Sequence, residues 1–238
     1  LTVIALCETL GKAVHLWAEM SSVNGVVCRF LVCDNRSKPL QAVVQHLKDI
    51  LRLPLRGKIF CLAGLLRGTV SLKFAHLHDP RTIDLLRKYD ADIALHGMNV
   101  IYRRSILDCF KMGVLNAHIG LLPRYRGRSV MEWSILEGAA TGISVFFLDE
   151  GIDTGQHIVT RAQIDVSRYA STVAAKDFLL SLDARSYRDA ILALTSSDYV
   201  PGSQTLEEGK RYYPMSRLLT GVVDRHLYSL SDGDTMRD

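Results

Sequence analysis

No stretch of this chain approaches the roughly 18–20 consecutive apolar residues that span a bilayer, so the sequence offers no membrane helix. No secretory signal pattern is evident, although the chain begins at Leu1 and not at Met, and the expectation is a cytoplasmic protein. There is no Cys-x-x-Cys. The five cysteines, Cys7, Cys28, Cys33, Cys61 and Cys109, are odd in number and sit mostly in apolar stretches. Buried free thiols in a reducing compartment are the simplest account. No Gly-rich dinucleotide fingerprint is present, which disfavours nicotinamide binding. Internal repeats and low-complexity tracts are also lacking. The net charge of +4 is too mild to argue for nucleic acid, which needs Lys and Arg clustered on one face. The nearest cluster is Arg124-Tyr125-Arg126-Gly127-Arg128, read either as a solvated loop or as an anion-binding segment.

What remains has an ordinary globular balance, 48% hydrophobic and 23% charged, over 238 residues. That length suits one large domain or one domain with a small appendage. Strand-like and helix-like patterns alternate. Strands are expected at residues 2–6, 26–32, 58–63, 92–95, 114–117 and 143–148. Helices are expected at 11–20, 39–51, 102–110 and 131–136, with another opened by Asp79-Pro80, an acidic N-cap before a first-turn proline. After Val159 the pattern becomes mostly helical, near 171–182, 186–194 and 216–228, with a turn-rich stretch at 199–213. The fold class expected is α/β: a Rossmann-like, mainly parallel sheet with helices on both faces over residues 1–165, then a small, mostly helical C-terminal region, 166–238. The apolar run Leu218-Leu219-Thr220-Gly221-Val222-Val223 would pack on its own core or on a second subunit, as in a homodimer.

Two segments carry chemistry. The first is Asn116-Ala117-His118-Ile119-Gly120-Leu121-Leu122-Pro123 at the end of a short apolar strand. Side chains at i and i+2 of a strand share a face, so Asn116 and His118 would sit side by side, where open α/β sheets place their ligands. The second is Asp149-Glu150-Gly151-Ile152-Asp153-Thr154-Gly155, a Gly-rich loop after another strand. Together they would bring an amide, an imidazole and a carboxylate to one reacting carbonyl. His76-Leu77-His78-Asp79 invites a metal reading, but lacks a third ligand nearby, so no metal is expected.

The paired segments resemble the formyltransferase family that uses 10-formyltetrahydrofolate. That family carries Asn-x-His followed by Ser-Leu-Leu-Pro, and later an Asp in an Asp-x-Gly loop. The clear resemblance runs over residues 79–159. It implies a Rossmann-like catalytic domain and 10-formyltetrahydrofolate as formyl donor. Asn116, His118 and Asp153 are then the catalytic residues. Formyl transfer to an amine develops negative charge on the carbonyl oxygen and positive charge on the attacking nitrogen. Asn116 would donate to the oxygen, His118 would donate and shuttle a proton, and the Asp153 carboxylate would favour and orient the imidazolium. By the same analogy Asp153 would help an ordered water relay protons. The resemblance also places the folate between two walls: Gly97, Met98, Asn99 and Val100 on one side, Asp149, Glu150, Gly151 and Ile152 on the other. Gly97 would allow close backbone approach.

The chain departs from the family at Gly120, where Ser is usual, which puts the loop's packing and substrate contacts in question. Glycinamide ribonucleotide formyltransferases have a Gly-rich phosphate loop at the first strand-to-helix turn. Here that turn reads Cys7-Glu8-Thr9-Leu10-Gly11-Lys12, and Glu8 would repel a phosphate. Methionyl-tRNA formyltransferases carry a C-terminal β-barrel for which the residues after Asp165 look too few and too helical, so nucleic acid is not expected as a partner. Sugar N-formyltransferases are nearer in length and resemble the chain at Arg126-Gly127-Arg128 and Trp133. The expected acceptor is a small-molecule amine, with a nucleotide-linked amino sugar as the leading class. The alternatives are a formyltetrahydrofolate hydrolase, with water as acceptor, and a non-catalytic folate-binding member.

Overall fold

Residues 2–7 present an almost unbroken apolar run, the signature of a strand buried on both faces of a parallel sheet. In the computed structural model, which describes residues 1–33, 39–73 and 76–234, that run is β1 (Thr2–Cys7), and all of it beyond Thr2 is buried. The chain divides into two compact units, Leu1–Leu115 and Asn116–Asp238. The division falls inside the strand β5 (Gly113–His118), and residues 166–238 lie in the second unit together with 116–165.

The first unit is a parallel α/β layer. β1 pairs with β2 (Val27–Cys33) on one side and with β4 (Ile93–Gly97) on the other. β2 pairs with β3 (Val70–Lys73), and β4 with the start of β5, Ile93 opposite Gly113. Every one of these pairings is parallel, as the alternating pattern predicts. Helix α1 (Leu10–Met20) opens where the Thr9 side chain accepts the Lys12 N–H at 3.1 Å. Helix α2 is Pro39–Arg52. The strand expected over 58–63 is instead part of helix α3 (Leu55–Arg67), and the third strand is Val70–Lys73. The reason is spacing: Gly57, Phe60, Cys61 and Gly64 are buried, a helical repeat that a short apolar run hides. Phe60 stacks on Trp17 of α1 at 4.5 Å between ring centroids. A Cβ on Gly64 would lie 2.6 Å from Val70 Cγ2, so the glycine lets α3 close onto β3.

Helix α4 (Pro80–Lys88) starts as expected, with Asp79 accepting the Arg81 N–H at 2.8 Å. Helix α5 (Arg104–Leu107) is much shorter than the expected 102–110. The Lys111 and Met112 N–H groups bond to the carbonyls of Ala91 and Asp92, which draws the chain out of the helix into β5.

The second unit adds β6 (Tyr125–Gly127), α6 (Val130–Leu136), β7 (Gly142–Phe147) and β8 (His157–Gln163), the last antiparallel to β7. Helices α7 (Thr172–Ser181) and α8 (Asp183–Thr195) follow, and α9 (Arg217–Asp234) comes last. The turn-rich stretch holds two short strands, β9 (Gly202–Ser203), antiparallel to β8, and β10 (Lys210–Tyr212), parallel to β6. Met131, Ile135, Ile143, Val166, Leu179, Val223 and Leu227 form one buried cluster, so part of α9 packs on the chain's own core. Leu218 remains 80% exposed. All five cysteines are free. No helix among the described residues is long and apolar enough to cross a membrane.

Candidate active site

β5 ends in Asn116-Ala117-His118, which puts Asn116 and His118 on the same face of the strand. The strand end is fixed from α8: the hydroxyl of Tyr187, a fully buried residue, accepts the N–H of Ala117 at 3.0 Å. The side-chain amide of Asn116 has no partner among the described residues.

His118 is buried, and each of its ring nitrogens faces an oxygen. Nε2 lies 2.8 Å from the carbonyl of Tyr125, to which it donates, and Nδ1 lies 3.5 Å from Oδ2 of Asp153. Both ring nitrogens thus face acceptor oxygens, the nearer being the Tyr125 carbonyl. The same Asp153 oxygen accepts the Gly127 N–H at 2.9 Å. Asp153 stands at φ 54, in the left-handed region that non-glycine residues seldom adopt. Gly127 has φ +100, and a Cβ there would run into the Tyr212 carbonyl oxygen. Only glycine fits that turn and still presents its N–H to Asp153.

β6 is in turn tied to β10. Glu137 accepts from the hydroxyls of Tyr125 and Tyr212 at 2.9 Å and from Lys210 Nζ at 3.1 Å. Burial, then the neighbouring Glu137 carboxylate, pushes the Tyr125 phenol up to about 12. The basic run falls on this strand. Arg124 and Arg128 are exposed, whereas Arg126 is buried and donates to the Gly209 carbonyl at 2.6 Å.

The loop after β7 is organised by its own side chains. Asp149 Oδ1 accepts the Gly151 N–H at 2.9 Å and the Thr154 hydroxyl at 2.7 Å. Asp149, Glu150, Gly151 and Ile152 are exposed. In the first unit, a Cβ on Gly97 would lie 2.6 Å from the Leu6 carbonyl oxygen, so this glycine serves the close approach of β4 to β1. Met98 is buried, Asn99 exposed and Val100 half-buried. The Asn99 N–H donates to Glu8 Oε1 at 2.5 Å, so Glu8 ties the β1 turn to the β4 turn. His76, Leu77 and His78 lie outside any strand, with His78 N–H donating to His76 Nδ1. No group of three potential metal ligands occurs among the described residues.

Sequence reasoning brought out Asn116, His118 and Asp153 but missed the groups that hold them. Tyr125 and Gly127 act through the main chain, which side-chain chemistry does not advertise. Tyr187 is remote in sequence. Of these, Gly127 alone enters the family resemblance in the sequence, as part of Arg126-Gly127-Arg128 and not for its N–H.

The sequence model of the formyl transferase family matches residues 31–191. The chain belongs to the formyl transferase family. The match takes in Asn116, His118, Asp153 and Tyr187, and reaches well beyond the 79–159 span of clear resemblance. A methionyl-tRNA formyltransferase of Geobacter sulfurreducens is 32% identical over 147 residues, 61% of this chain and 46% of that protein. The chain thus spans about half the length of the curated relatives it matches. Among solved structures, the phosphoribosylglycinamide formyltransferase of Anaplasma phagocytophilum superposes with a TM-score of 0.59 at 18% identity, covering 90% of this chain and 99% of that one. A sugar N-formyltransferase from a Shewanella species gives 0.58 at 13% identity, covering 95% and 87%. At these identities the likeness establishes the fold.

Proposed function

We propose that this formyl transferase chain moves a formyl group from 10-formyltetrahydrofolate to the primary amine of a small substrate, with nucleotide-linked amino sugars as the leading class. The observation that carries the reading is the buried His118, held between the Tyr125 carbonyl and the Asp153 carboxylate, on the strand end that also presents Asn116. The unpartnered amide of Asn116 suits a carbonyl oxygen as acceptor, which is the fit that a formyl group requires. The donor, when bound, would supply an electrophilic formyl carbon and leave as tetrahydrofolate.

Each residue then has one task. Asn116 donates to the formyl oxygen as negative charge grows on it. His118, whose ring nitrogens face the Tyr125 carbonyl and the Asp153 carboxylate, passes a proton as the new C–N bond forms and the bond to the folate nitrogen breaks. Asp153 holds the ring and its charge. The attacking amine loses one proton and the departing folate nitrogen gains one, so the reaction needs no external oxidant or reductant.

Removing one such donor costs ~10²–10³ in turnover, the loss expected for Asn116→Ala with the fold kept. Steady-state release of tetrahydrofolate measures it, and full activity would remove Asn116 from the mechanism. Asp153→Asn should lower turnover and alter the pH profile; an unaltered profile would remove Asp153. Among acceptors, methionyl-tRNA is the second reading. It is favoured by the sequence likeness to proteins so described, and the same assay separates it from amino sugars.

A further inference from the structure

Gln204 follows β9, beyond the end of the family match, and is 3% exposed. Its side-chain Nε2 donates to the Gly155 carbonyl at 2.7 Å and to the Asp153 carbonyl at 3.3 Å. Its own backbone N–H donates to the Gln156 carbonyl at 3.1 Å. One residue, about fifty positions away, therefore takes up three carbonyls of the segment 153–156. The opposite amide orientation would set Oε1 against two carbonyl oxygens, so the donor assignment is dictated by the acceptors. Oε1 itself has no partner among the described residues. A buried half-satisfied amide is costly, and residues that only fill space do not need one. Asp153 needs such an outside hold. Its φ of 54 is rarely populated without one, and its carboxylate must reach both the Gly127 N–H and His118.

We infer that Gln204 is a positioning residue for formyl transfer: it clamps the 153–156 segment so that the Asp153 carboxylate stays aimed at His118. The inference rests on the catalytic reading given above, but the clamp has a readout that needs no substrate. The Gly127 N–H is protected by Asp153 Oδ2, so its hydrogen exchange reports where the carboxylate is. Gln204→Leu, which keeps the bulk and removes the donor, is expected to speed exchange at Gly127 about tenfold or more by freeing the segment. Arg161→Ala serves as control. It removes a bond from Arg161 to the Ser203 carbonyl and so loosens the same β8–β9 edge without touching the clamp.

Turnover gives the second readout. Gln204→Leu should lower kcat by roughly 10–100-fold, the cost of a catalytic group displaced by about an ångström. In an Asp153→Asn background the same substitution should cost less than about threefold, because residues that act through one another are not additive. Should Gln204→Leu fail to fold, Gln204→Met takes its place: it keeps the length of the side chain without a donor, and the expectations are unchanged. Gly127 exchange that stays slow, or that rises equally in Arg161→Ala, overturns the clamp. So does a loss in kcat that simply multiplies with that of Asp153→Asn. If the wild-type chain transfers no formyl group, the catalytic reading falls, while the exchange measurement still decides the clamp.

Discussion

A methyl group on Gly120 would lie 2.7 Å from Nε2 of His118 and 2.9 Å from the Tyr125 carbonyl oxygen, the two atoms whose hydrogen bond orients the ring. Contacts that short force one partner to move. Gly120→Ala should therefore displace the imidazole and lower turnover by about tenfold or more, while circular dichroism shows the fold retained. Unchanged turnover would mean that the ring tolerates a second position. Gly120 was legible only as a departure from the family's usual Ser. Why this loop takes a glycine needs the position of Tyr125, which no local pattern supplies. That Asn116 and His118 share a face was readable from strand alternation, whereas Asp153 entered only through the family resemblance. Their supports, the Tyr125 carbonyl and the Gly127 N–H, were not readable, since any residue carries those groups.

At the scale of elements, the caps behave as sequence chemistry dictates. Asp79→Ala removes the N-cap of α4 and should lower stability by about 1 kcal/mol in a denaturant titration, with little change in slope. Tyr187→Phe reaches across elements: it leaves the Ala117 N–H at the end of β5 without its acceptor, at a cost of about 1–3 kcal/mol. A Tyr187→Phe variant as stable as the wild type would show that β5 does not depend on α8. The sheet strands of the first unit were legible where apolar runs are bounded by turns and caps. The run at 58–63 was misread because six apolar-rich residues fit either period, and only the glycines at 57 and 64 mark the helical face. β9 and β10 were missed because strands of two or three residues show no period at all.

At the scale of the whole molecule, the two units meet in sequence inside β5, a division that composition cannot reveal, since the one strand 113–118 continues across it. The thiols offer a test of the packed interior. Burial raises Cys7 and pushes Cys33 up to about 12. Neither should react with iodoacetamide at pH 8 in the native protein, and both should react after unfolding; native labelling of either would contradict the packing of β1 and β2. A thiol held above its unfolded value, about 8.5, stabilises the fold fully below that pH, and the contribution fades as pH rises toward 12. The central claim is the transfer itself. The most direct measurement is tetrahydrofolate release from 10-formyltetrahydrofolate by the purified chain. It is followed without acceptor, with nucleotide-linked amino sugars and with methionyl-tRNA, and repeated with His118→Ala. The account predicts release that requires an amine, with the amino sugar preferred, and that His118→Ala abolishes. Fast release with no amine, or release that survives His118→Ala, would contradict it.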